Sequence, residues 1–291
     1  MRSLVRWGAA LGLAGGVLAG SMMAVAPQAM ALPKEQVVER LSHVPVFTLT
    51  DAQGSPLVAA RPQGQQGPPV AGVFISRQDA EQFLENLRRN NRQLADSVRV
   101  TPVSLGEIYE LALQNESQQN GLKFAFVPMQ QEVQTAMTLL RQGGQTIERF
   151  DGVPLFIARS QGQQGGYLTI QQNNQQVVPL FFRRDELQAM LDRLRQQQPN
   201  LASQVNIQVT SLEGVIQTLQ TQNTAELNQI LLIPPRESIE YVRTLETQQG
   251  QQRPNLPAGQ QQPAGAGQPA QTQQRPAQPA PQTQQRPAQP R

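Results

Sequence analysis

The chain has 291 residues, no cysteine, one histidine, 23 prolines and a formal charge of +3. Without cysteine, thiol redox chemistry and thiolate-bound metals are excluded, and a lone histidine leaves any zinc site to carboxylates. Two arginines in residues 1–31 and four in 248–291, with no acid beside them, outweigh the total, so residues 32–247 carry −3 and present no basic face for nucleic acid.

Residues 1–31 read as a signal peptide. Arg2 and Arg6 precede an apolar stretch from Gly8 to about Val25, and Ala29 and Ala31 form a small-residue cleavage site. An uncleaved anchor is the other reading; cleavage after Ala31 leaves no segment that would stay inserted in a membrane.

The body carries a repeat. "RQDAEQFLENL" at 77–87 returns as "RDELQAMLDRL" at 184–194. Ala80, Phe83, Leu84 and Leu87 make one helical stripe, as do Leu187, Met190, Leu191 and Leu194. Ser76 is placed to cap the first of these helices, with Asp79 at its third position. "VRVTPVSLGEIYELA" at 98–112 matches "VNIQVTSLEGVIQTL" at 205–219, where Ser104 and Ser211 end strands and cap short helices. "FAFVPMQQEVQTAMTLL" at 124–140 matches "ILLIPPRESIEYVRTL" at 230–245, and "VPVF" at 44–47 matches "VPLF" at 153–156. Four blocks in one order imply a tandem duplication.

Each half then reads as strand, hairpin, strand, amphipathic helix, strand, short helix, strand and last helix. Asp51 and Gly54 supply the first hairpin turn, and "QGQQGG" at 161–166 serves the second. "GVFI", "FAFV" and "ILLI" are apolar without alternation, as in strands covered on both faces or open on one to a ligand. The expected fold class is α/β (α+β): a tandem-duplicated, two-lobed, pseudo-twofold fold, a mixed sheet flanked by helices. The first lobe is 32–142 and the second 143–247, joined into one unit by a short connection around Gly143–Gly152. Residues 248–291, rich in Gln, Pro, Ala and Gly with a direct repeat at 271–279 and 282–290, read as a disordered tail.

Catalytic chemistry finds no footing. His43, at the start of a strand, is the only histidine, and no nucleophile elbow, P-loop or dinucleotide fingerprint is present. "NES" at 115–117 matches the glycosylation pattern at chance level. Glu81, Glu85, Glu107 and Asp192 belong to helix exteriors or first turns. The expectation is a protein without catalytic residues, metal or cofactor.

The paired blocks "VPVFTLTDAQGSPLV…GVFISRQDAEQFLENL" and "GVPLFIA…VVPLFFRRDELQAML" resemble the Tic22 family over about residues 36–245. That resemblance implies a two-lobed α/β fold with apolar pockets. It implies preprotein import for plant members and chaperone-like work in outer-membrane biogenesis for cyanobacterial ones, and the leader points to the latter branch. The implied function is an ATP-independent factor exported to the periplasm, with the thylakoid lumen left open as a second location. Its partners would be unfolded outer-membrane or preprotein chains and outer-membrane assembly machinery. Polypeptide would bind at Phe124, Phe126 and Val127 in one half and Leu231, Leu232 and Ile233 in the other, with Phe74, Phe181 and Phe182 as further candidates. A scaffold between outer-membrane machinery and cell wall, without holding activity, is the alternative.

Truncation after Thr247 should leave the thermal midpoint unchanged, because the removed residues have almost no large apolar side chains to bury. A fall of several degrees in a circular dichroism melt would show that the tail docks on the body.

Overall fold

The computed structural model describes residues 31–59, 67–161, 165–202, 204–224 and 227–251. The expected leader lies outside them except for Ala31, as do residues 252–291 of the tail and residues 162–164 of the "QGQQGG" turn.

Residues 31–142 supply α1 (Lys34–Ser42), β1 (Pro45–Thr50), β2 (Val70–Phe74), α2 (Arg77–Asn90), α3 (Arg92–Asp96), β3 (Arg99–Ser104), α4 (Leu105–Glu116), β4 (Lys123–Val127) and α5 (Gln130–Gln142). The rest supplies β5 (Pro154–Ser160), β6 (Ile170–Gln172), β7 (Gln175–Phe181), α6 (Arg184–Gln197), α7 (Pro199–Ala202), β8 (Val205–Ser211), α8 (Leu212–Thr221), a 3-10 turn (Leu227–Gln229), β9 (Ile230–Ile233) and α9 (Arg236–Gln251). Residues 248–251, assigned to the tail from sequence, continue α9: glutamine is a fair helix former and no proline intervenes before Pro254.

Two mixed sheets form, one per half. The first runs β3-β1-β2-β4; in the second, β8, β5, β7 and β9 stand in the same order, with β6 added beside β7. Senses match too: β1–β2, β1–β3, β5–β7 and β5–β8 are antiparallel, while β2–β4 and β7–β9 are parallel. Phe47 faces Phe74 in one sheet and Phe156 faces Phe181 in the other.

Local chemistry sets the ends of these elements. Ser104 and Glu107 make a reciprocal capping box on α4, and Ser211 caps α8 by accepting the Gly214 N–H at 3.1 Å. Ser76 caps α2 by accepting the Gln78 N–H; Asp79 does not close a box there. Asp51 accepts the N–H groups of Gln53 and Ser55, which folds the first turn. In the second half the β6–β7 hairpin turns at Asn173 and Asn174, both with positive φ (49° and 62°), which asparagine tolerates.

The inner faces of both sheets share one cluster. Val46 and Val73 of the first sheet and Leu155, Ile157 and Leu180 of the second join Leu41 of α1, Ile108 of α4 and Leu219 of α8, all buried. Gly106 lets α1 and α4 close on each other, since a Cβ there would stand 2.7 Å from the Val38 carbonyl oxygen.

The outer faces are covered by exchange. Phe47, Leu49 and Phe74 lie beneath α2 of their own half and Tyr241 of α9. Phe156, Ala158 and Phe181 lie beneath α6 of their own half and Ala136 and Leu139 of α5. The helix that closes each half in sequence therefore packs on the sheet of the other.

Tyr241 stands 6.0 Å from Phe47, ring to ring, and the Arg77 guanidinium lies 4.0 Å over its face. Tyr241→Ala should cost about 1–2 kcal/mol, the loss of one half-buried aromatic seat. An unchanged urea midpoint would mean that α9 does not hold the first sheet.

Candidate functional site

β4 and β9 occupy equivalent positions, each paired in parallel at the side of its sheet away from β3 or β8. Phe124 and Phe126 alternate with exposed Lys123 and Ala125; both phenylalanines are half-buried and lean on the central cluster. Val127 is half-buried against the first outer cluster. On β9, Leu231 is half-buried, Ile233 half-buried against the second outer cluster, and Leu232 is 4% exposed within the central cluster. Phe74, Phe181 and Phe182 are buried core. The six named residues thus fall on two separate strands, in partial exposure, with Leu232 as internal support.

Two grooves lie elsewhere, each of about 390 Å³. One runs between α9 and the starts of β1 and α4, lined by His43, Pro102, Val103, Glu107, Ile239 and Val242. The other lies between α1 and α4, with Val38 and Leu113 at its base. The periodicity of Ile239 and Val242 was readable in the sequence; their neighbours across the groove come from the other half and were not.

A charged cluster joins the N-termini of three helices. Glu132 of α5, only 4% exposed, accepts the Arg184 N–H that opens α6 at 3.1 Å. Glu186 of α6 accepts the Arg236 N–H that opens α9 at 3.0 Å. Arg183 donates to both oxygens of Asp185 at 3.0 and 2.8 Å and lies 3.7 Å from Glu237. That guanidinium holds the Asp185 carboxyl below its usual range. Burial pushes Glu132 and Glu186 up, and burial with the nearby Glu237 charge pushes Asp79 up. Raised carboxyls are what acid–base sites use, but none of these lines either groove; each of Glu132 and Glu186 instead caps a helix that another element must reach. Nothing in the sequence pointed to Glu132, whose partner lies on a helix of the opposite half.

Among the described residues, no group of three His, Cys, Asp or Glu side chains stands close enough to hold a metal ion. Glu81, Glu85 and Asp192 pair with Arg77, Arg88 and Arg195 on exposed helix surfaces. His43 is exposed. No described helix is long and apolar enough to cross a membrane.

A carboxyl whose folded pKa is raised favours folding while protonated. For Glu132 that contribution is complete below its ordinary value of 4.5 and is lost as pH climbs through the folded value. Glu132→Gln keeps an acceptor for the Arg184 N–H without the charge. It should raise the melting midpoint at pH 8 by roughly 2–4 °C, the response of a domain this size to about 1 kcal/mol. The gain over the parent should shrink as pH falls toward 4.5. A midpoint lowered at pH 8 would show that the ionised carboxylate is a net stabiliser.

Comparison with known proteins gives one consistent answer. The profile of the Tic22-like family matches residues 15–244. Protein TIC 22-like, chloroplastic, of Arabidopsis thaliana is 25% identical over 237 residues, 80% of this chain and 71% of that protein. Protein TIC 22, chloroplastic, of Pisum sativum is 23% identical over 208 residues, 71% of this chain and 75% of that one. Among solved structures, Anabaena Tic22, a protein of protein transport, superposes with a TM-score of 0.65 at 37% identity, covering 73% of this chain and 97% of that one. Tic22 from Plasmodium falciparum, at 20% identity and a TM-score of 0.56 over 73% of this chain and 98% of its own, shares the fold. The family profile over most of the chain and the superposition on the Anabaena protein agree, and the chain belongs to the Tic22 family.

Proposed function

We propose that this chain serves protein transport by holding unfolded polypeptide without ATP, in the periplasm or an equivalent exported compartment, in support of outer-membrane biogenesis. The observation that carries the reading is the 37% identity to the Anabaena protein-transport protein across 97% of that chain. The geometry is compatible with it. Phe124 and Phe126 on β4 and Leu231 on β9 are half-exposed, and exposed Phe83 stands 5.4 Å from Phe74 on the other face of the first sheet. Surfaces of this kind accept unfolded chains and need no nucleotide. Two of them on one body would let a long client engage both, with a gain through effective concentration.

The purified protein should slow aggregation of an unfolded β-barrel protein without ATP, and the effect should persist at high salt, because apolar contact is not screened. Phe124→Ser and Leu231→Ser should each weaken it several-fold with circular dichroism unchanged. Leu232→Asp should unfold the protein instead, since an unpaired buried carboxylate costs on the order of 2–5 kcal/mol. No effect of the parent protein at several-fold excess would overturn the reading and favour a scaffold.

A further inference from the structure

The two sheets end differently on their β3 and β8 sides. In an antiparallel pair only alternate residues bond to the neighbour; the others turn their N–H and C=O groups outward. Leu105 N–H donates to the Val44 carbonyl, so in β3 the outward residues are Val100, Pro102 and Ser104. Proline has no N–H, and the Ser104 N–H is taken by Glu107 Oε2 at 2.8 Å. The β3 edge is left with Val100 as its outward donor, a blunted edge of the kind that prevents strand addition.

β8 has neither device. Leu212 N–H donates to the Val153 carbonyl and Gln161 N–H to the Gln204 carbonyl, which turns Val205, Ile207, Val209 and Ser211 outward. Val209 stands where β3 has Pro102. Gly214 stands where α4 has Glu107, so no carboxylate reaches back to the Ser211 N–H. Among the described residues none of these four N–H groups has a hydrogen-bond partner, and none of the four residues is fully buried. The strand is uncharged and two-faced: Val205, Ile207 and Val209 pack toward α5 and α6, while Asn206 and Gln208 on the other face are exposed.

We propose that the β8 edge takes up an extended polypeptide segment as a further strand of the second sheet, and that the β3 edge is closed to it. The proposal rests on the reading above that the protein holds unfolded chains, and it names how one segment is gripped. Main-chain bonds would supply the hold. The alternation along β8 selects the occupant: apolar side chains continuing the α5 and α6 face, polar ones on the exposed face, and no charge between them. Strands of an unfolded β-barrel have this alternation.

The probe is a fluorescein-labelled nine-residue peptide of alternating valine and threonine with a lysine at each end. Its anisotropy should rise on titration with the purified protein, and amide exchange at 205, 207, 209 and 211 should slow at least tenfold when unlabelled peptide is present. Val209→Pro should weaken peptide binding at least tenfold with circular dichroism unchanged, because β3 already carries proline at this place. Val209→Ala, which keeps the N–H, should bind within threefold of the parent. Equal binding by folded Val209→Pro, or slowed exchange confined to other strands, would overturn the proposal. A parent dimer in sedimentation that Val209→Pro dissolves would also overturn it, assigning the edge to a second copy. Should Val209→Pro unfold, exchange on the parent protein decides. A parent that slows aggregation but shows no slowed exchange in β8 defeats this inference alone; a parent that does neither defeats the wider reading with it.

Discussion

Each sheet has to bury two faces. Val46 looks one way from β1 and Phe47 the other; Leu155 and Phe156 do the same from β5, and all four are buried. After its first strands each half has three helices of ten or more residues, and its own outer face receives one of them, α2 or α6. The inner faces solve this by sharing one core, into which α1, α4 and α8 also dip. The outer faces solve it by exchanging α5 and α9. The charged cluster follows from the exchange. Helices that cross between halves bring Glu132 to the start of α6, and Glu186 meets the start of α9 on its way to the first sheet. Arg40 of α1 does similar work, donating to the Asn228 carbonyl and side chain in the turn before β9.

The sequence showed what local chemistry decides. Ser104 and Ser211 were readable as caps because a strand ending at serine before an apolar helical stripe has few other meanings. Asp51 and Gly54 were readable as a turn for the same reason. Asn173–Asn174, which turns β6 into β7, was equally legible but went unread; the segments flanking the glycines at 161–166 do pair antiparallel, with Arg159 opposite Tyr167. α1 escaped because nine residues with Val37, Val38 and Leu41 give too short a stripe to stand out beside a cleavage site. The exchange could not be read at all, since the stripes on α5 and α9 fit either sheet. The same limit applies to the candidate surface. "ILLI" does not say that Leu232 points to the core while Leu231 stays half-exposed; that depends on which face the parallel neighbour β7 turns inward.

The near-repetition of the halves makes their differences informative. Where the topology is the same, a changed residue is an experiment already performed on one scaffold. Pro102 against Val209 and Glu107 against Gly214 alter the same two backbone donors at the same place. Val209 also leans on the outer cluster beneath α5 and α6, whereas Glu107 and Gly214 belong to no core cluster, so packing does not account for the second change. Half-exposed Phe124 and Leu231 lie on the opposite side of each sheet from these edges. A client chain gripped by its main chain at one border and by its side chains at another would be held extended rather than collapsed.

The exchange of α5 and α9 also sets a clock. The strands of the first sheet are complete once Val127 has been made, yet α9, which covers Phe47, begins at Arg236. At ordinary rates of synthesis that interval is on the order of 5–20 s. Through that time the outer face of the first sheet has only α2 over it, and α5 has no second sheet to lie on. Order of synthesis and order of packing are thus offset by more than a hundred residues: the Tyr241 ring that covers Phe47 is made long after the sheet it covers.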